Sequence, residues 1–116
     1  MTKIVFFRSG GTYYGFEEQG HAGYGEAGDD IVCAALSAMT MLIINAIEVS
    51  YASNVEYTID EDTTDITVNV PAALDESPEN EMQRYAISGL LQGYFVQLMD
   101  MLEDYYDFLS VEEKEQ

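Results

Sequence analysis

Between Asp30 and Glu48 the chain carries no charged side chain. Ile31, Val32, Ala35, Leu36, Met39, Leu42, Ile43, Ala46 and Ile47 recur at helical spacing, and Ala34, Ala38, Met41 and Ile44 fill the positions between them. A helix apolar nearly all round is buried on more than one side. In one domain of 116 residues, a single core covers one of those sides, and a second subunit is a candidate for the other. The unbroken apolar run at residues 41–44 is far shorter than the roughly 20 residues a bilayer-spanning helix needs, so no membrane association is expected.

The rest of the pattern supplies a sheet for that helix. The β-branched and aromatic run Lys3, Ile4, Val5, Phe6, Phe7, Arg8 predicts a strand, and Ser9, Gly10, Gly11 and Thr12 a turn. Residues 13–19 then read as the returning strand. Asp29 or Asp30 is the expected N-cap of the helix, a short carboxylate accepting from otherwise orphaned amides. Strict alternation over 55–60 and 65–70 predicts a second hairpin with one face on the core, around an acidic turn at 61–64. Pro71 ends it. Ser77 as N-cap and Pro78 in the first turn open a second helix, with Ile87, Leu91, Tyr94, Leu98, Met101 or Leu102, Tyr105 and Leu109 on its core face. Gly89 and Gly93 mark a close approach or a bend, and the methionines of both helices read as core filler. The expected fold is α+β: a two-layer sandwich of order ββαββα, with a mostly antiparallel four-stranded sheet packed against two helices. It occupies 1–116 as one domain, with 110–116 a frayed, charged tail.

Four Lys and Arg against 22 Asp and Glu give a net charge of −18. Such a chain repels nucleic-acid phosphates and anionic membranes, so direct nucleic-acid binding is not expected, and it attracts basic partners. The N-terminus lacks the h-region of a signal peptide, which predicts an intracellular, cytoplasmic protein. One cysteine forms no internal disulfide, and one histidine beside it is a poor start for a zinc site. No metal or cofactor is expected.

That histidine and that cysteine, His21 and Cys33, lie twelve positions apart, joined by a loop punctuated by Gly20, Gly23, Gly25 and Gly28. Amid Ile31, Val32, Ala34 and Ala35, Cys33 reads first as a small core hydrophobe. Its expected place in the first helical turn raises a second reading, because the positive end of the helix favours a thiolate. A thiolate beside an imidazolium is self-stabilising, and the imidazole can return a proton to a leaving amine. Asp30 is either a cap or a group that orients His21, and the Val32 and Cys33 amides are candidate oxyanion donors. Ser37, one turn on from Cys33, either bonds a helix carbonyl or lines the site. A cysteine hydrolase and a non-catalytic, acidic protein that binds basic tails both remain open on the residues alone, with a nucleic-acid mimic behind them.

The run Gly20-His21-Ala22, then Gly28, then Asp30-Ile31-Val32-Cys33-Ala34 with Ser37 beyond, closely resembles the ribosomal-processing cysteine protease Prp family. The resemblance implies a bacterial cytoplasmic endopeptidase, acting as a homodimer. Its substrate would be a large-subunit ribosomal protein, whose N-terminal extension it removes by cutting after a pair of aromatic residues. It implies Cys33 as nucleophile, His21 as general base, Asp30 and Ser37 in support, and the glycine-rich loop as a flap over the substrate.

Overall fold

The computed structural model describes residues 1–20, 27–63 and 65–116, and the side chains of all of these but 27–29. Strands β1 (Thr2–Ser9) and β2 (Thr12–Gln19) form the first hairpin. Its turn is made by Gly10 and Gly11 at φ +56° and +84°, a region that only glycine occupies without strain. Helix α1 spans Ala27–Asn45 and runs on as a π-helical turn at Ala46–Ser50. The second hairpin pairs β3 (Glu56–Ile59) with β4 (Ile66–Asn69), and β4 pairs in turn with β2. Two short 3₁₀ turns, Pro71–Leu74 and Pro78–Asn80, lead into helix α2 (Glu81–Tyr105). Both helices cover one face of the sheet.

The core follows the two periodicities. Ile4 and Phe6 on β1, Phe16 on β2 and Val68 on β4 point at the helices. Val32, Leu36, Ile43 and Ile47 meet them from α1, and Ile87, Leu91, Tyr94 and Leu98 from α2. Phe6 sits at the centre, 5.4–5.8 Å between ring centroids from Tyr13, Phe16, Tyr94 and Phe95.

The sheet departs from expectation at both edges. It has five strands in the order β3-β4-β2-β1-β5, not four, and it is mixed. Helix α2 stops at Tyr105, short of Leu109, and that residue with those expected to fray forms β5 (Leu109–Glu115), parallel to β1 and reached through α2. The element order is therefore ββαββαβ. Charge hid the strand: only its first residue is buried, and Glu112 to Glu115 project past the core. What holds that end is the ladder to β1 and a row of ion pairs, Lys3–Glu112 at 3.3 Å, Arg8–Glu113 at 3.2 Å and Arg8–Glu115 at 2.9 Å. At the other edge every residue of β3 is exposed. Tyr57 and Ile59 alternate as a core face should, yet they lie beyond the reach of the helices.

Helix α1 is covered on one side only. Ile31, Met41 and Leu42 are 52%, 46% and 63% exposed. Asp30–Ser50 is long and apolar enough to cross a membrane by length and composition, unlike the short run at 41–44, and a third of that window is buried here. Methionine is not uniformly core filler either: Met82 and Met99 are exposed. Gly89 and Gly93 bring no backbone close, since a Cβ at either would meet open space. They instead help line a groove of about 250 Å³ between the helices, with Met39, Leu42 and Leu90.

Candidate active site

Because α1 begins at Ala27, Asp29 and Asp30 lie inside its first turn and do not cap it. Cys33 is the seventh residue, in the second turn. Two expectations change with that shift. An α-helix leaves its first four amides free, here those of 27–30, so the Val32 and Cys33 amides already serve the helical ladder and are not oxyanion donors. The helix dipole also acts on Cys33 from one turn further away, where it is weaker.

The thiol is free and half-buried. It faces the start of β1, where the hydroxyl of Thr2 lies 3.4 Å from Cys33 Sγ. Thr2 itself is fully buried and its amide donates to the Phe108 carbonyl at 2.8 Å. Asp30 and Ser37, one turn to either side of Cys33, are exposed. His21, Gly23 and Gly25 lie outside the described residues.

The sheet nevertheless fixes where the chain departs toward His21. Gln19, the last residue of β2, pairs with Lys3, the neighbour of Thr2. Gly20 then turns at φ +86°, and its amide donates to Asp65 Oδ1 at 3.2 Å. Any side chain at Gly20 would place its Cβ 2.5 Å from the Met1 carbonyl oxygen, so glycine is required there twice over, by space and by dihedral. Gly28 is the second residue of α1. Thus Thr2, Gly20 and the paired ends of β1 and β2 lie at the end of the sheet that Cys33 faces.

The acidic β3–β4 turn shares that end, since β4 begins opposite Glu18. Asp60 accepts from the amides of Thr63 and Asp62 at 3.0 and 2.8 Å, which holds its carboxyl below the ordinary carboxylate range. A roomier hollow of about 550 Å³, lined by Thr12, Arg84, Tyr85 and Ser88, sits at the opposite, hairpin-turn end of β1. It is remote from the thiol.

Two features escaped the sequence reading. Thr2 is the first, although inward alternation from Ile4 and Phe6 puts it on the core face. The second is a sealed polar cluster: Glu18 accepts from the Thr40 hydroxyl and, at 2.7 Å, from the Tyr94 hydroxyl. Alternation from Phe16 would have turned Glu18 inward, and Thr40 stands two turns after Cys33 on the same helix face.

Comparison with known proteins bears on the family and the fold. A family described as cysteine protease Prp matches residues 1–110. The ribosomal processing cysteine protease Prp of Bacillus subtilis (strain 168) is 32% identical over 96 residues, covering 83% of this chain and 81% of its own. Among solved structures, SMU.848 from Streptococcus mutans superposes with a TM-score of 0.82 at 28% identity, over 100% of this chain and 99% of the other. The ribosomal processing protease Prp from S. aureus, solved with a substrate peptide, gives 0.79 at 23% identity, over 98% and 100%.

Proposed function

The chain belongs to the Prp family of cysteine proteases, and on that premise we propose that it removes the N-terminal extension of a large-subunit ribosomal protein, with Cys33 and His21 as its catalytic dyad. The family is one of enzymes, so the non-catalytic acidic binder falls away as an alternative. The observation that carries the assignment of the nucleophile is the half-buried Cys33 thiol, at the end of the sheet where β2 leaves toward His21.

The chemistry needs little else. The thiolate of Cys33 attacks the scissile carbonyl carbon, and the C–N bond of the resulting tetrahedral adduct breaks. The departing amine takes its proton from His21, leaving an acyl group on sulfur. His21 then deprotonates a water that attacks the thioester, which releases the acid and restores the thiol. Only Gly20 separates Gln19 from His21, two Cα steps that reach roughly 7 Å at full extension, so the base is tethered near the strand ends. Asp30 and Ser37 flank Cys33 at one helical turn and support the site from its exposed rim. The glycine loop serves as the flap over the substrate strand, with Gly20 as its fixed root.

A ribosomal-protein tail is basic, and a chain of net charge −18 with an acidic turn at the site end draws it in. The protein acts in the cytoplasm as a homodimer, its second copy covering Ile31, Met41 and Leu42 on α1. The direct test is incubation with the precursor tail. Cleavage is expected, and both Cys33→Ala and His21→Ala should abolish it while circular dichroism stays native. Normal cleavage by Cys33→Ala would end the dyad mechanism.

A further inference from the structure

Resting on the reading of Cys33 as nucleophile, we infer that Thr2 is a positioning residue of the active site, whose buried hydroxyl orients the Cys33 sulfur. Thr2 is wholly inaccessible, on a strand whose other inward residues, Ile4 and Phe6, are apolar. Valine would fill the same shape there without a hydroxyl to desolvate, and burying a hydroxyl is costly unless it finds a partner. The partner is Cys33 Sγ at 3.4 Å, within range for a sulfur hydrogen bond.

The rest of the local structure makes Thr2 a rigid support. A β-branched side chain has few χ1 wells. Its backbone is pinned by the amide bond to Phe108 and by parallel pairing with Leu109 on β5, and the preceding carbonyl, that of Met1, packs against Gly20. A hydroxyl fixed in this way can accept from the thiol and donate to the thiolate. In both states it selects one sulfur rotamer. The sulfur is thereby held on the side of α1 that faces the β1 and β2 ends, where the chain departs toward His21. β5 acquires a role as well, since it is the strand that fixes the support.

Cys33 is the single cysteine of the chain, so alkylation by iodoacetamide at neutral pH reports on it alone. Thr2→Val and Thr2→Ala are expected to slow alkylation and to lower kcat on the precursor peptide, each by roughly tenfold, with KM within about twofold. Thr2→Ser, which keeps the hydroxyl, should restore both rates. Wild-type rates in whichever of the first two variants folds would overturn the inference. So would a Thr2→Ser protein as slow as Thr2→Val, because packing of the methyl would then be the cause. If neither Val nor Ala folds, Thr2→Ser decides: wild-type rates of alkylation and cleavage support the inference, and a roughly tenfold loss in both overturns it. Normal cleavage by Cys33→Ala would instead remove the nucleophile assignment while leaving the alkylation comparison intact, so the two failures are distinguishable.

Discussion

Helix α1 meets the sheet through two polar side chains on one face, Cys33 and Thr40, and they do opposite work. Cys33 is half-buried, touches β1 through Thr2 and stands at the sheet end where β2 departs into the glycine loop. Thr40 is sealed, and its hydroxyl donates to Glu18 of β2, which also accepts from Tyr94 of α2. Burial, together with the charge of Glu18 and the bond to it, holds the Tyr94 hydroxyl far above its ordinary range, so it stays a donor. The second cluster ties α1, α2 and the sheet together and admits no substrate. The difference is access: a polar group at the mouth of a fold can react, and one behind the core can only hold.

That contrast predicts a clean separation of effects. Cys33→Ala should lower cleavage by about a thousandfold or more, as loss of a nucleophile does, and shift the melting temperature by no more than a few degrees. Tyr94→Phe should do the reverse. It leaves a lone pair of a buried carboxylate unsatisfied, at a cost of about 1–3 kcal/mol, while cleavage well below the melting temperature keeps its wild-type rate. Denaturant melts and peptide assays on the same two proteins decide the matter. A Tyr94→Phe enzyme that is stable but inactive would break the distinction.

The outward face of α1, proposed above as the contact between two copies, gives a third, smaller test. Leu42 is 63% exposed, and covering it in a dimer is worth about 1–2 kcal/mol. Leu42→Glu should therefore weaken dimerisation roughly tenfold in sedimentation equilibrium. Two chains of −18 repel one another, so added salt should tighten the wild-type dimer. A dimer indifferent to both would lie on another surface.

Sequence periodicity made the interior legible and the margins illegible. The α2 stripe Ile87, Leu91, Tyr94 and Leu98 is buried as its spacing requires, and the first hairpin stands within one residue of its expected bounds. Cys33 and Ser37 fall one turn apart on α1 as read. The helix start was missed because Asp29 and Asp30 resemble a cap, while Gly28 ahead of them resembles a loop. The fifth strand was missed because its charges answer Lys3 and Arg8, residues more than a hundred positions earlier, and local pattern carries no such pairing. Thr2 escaped because its partner is thirty-one residues away. The contact between β1 and α1 is a tertiary fact.

The smallest expected effect concerns that fifth strand, which supports Thr2 through Phe108 and Leu109. Its far end is held by exposed groups: Arg8 to Glu113 and Glu115, the Gly10 amide to Glu115 at 2.8 Å, and the Tyr13 hydroxyl to Glu113. The hydrogen bond from Arg8, then that from Gly10, holds the Glu115 carboxyl below the ordinary carboxylate range. A depressed carboxylate contributes stability present above the unfolded value and lost as pH falls through the folded one, so the clamp should loosen in acid, below the ordinary carboxylate range. Tyr13 runs the other way. Burial, then its bond to Glu113, pushes its hydroxyl up to about 12 from 10.0. A raised phenol contributes stability fully present below pH 10.0 and lost as pH rises through about 12. Between those limits β5 amides should exchange slowly, and outside them those beyond Val111 should open first. Measured by hydrogen exchange, after correction for intrinsic rates, Arg8→Gln should produce the same local opening at neutral pH and leave the amides of Ile4 and Phe6 protected. Exchange that rose equally across β1 would show that the charged end of β5 carries the whole edge, and with it the mounting of Thr2.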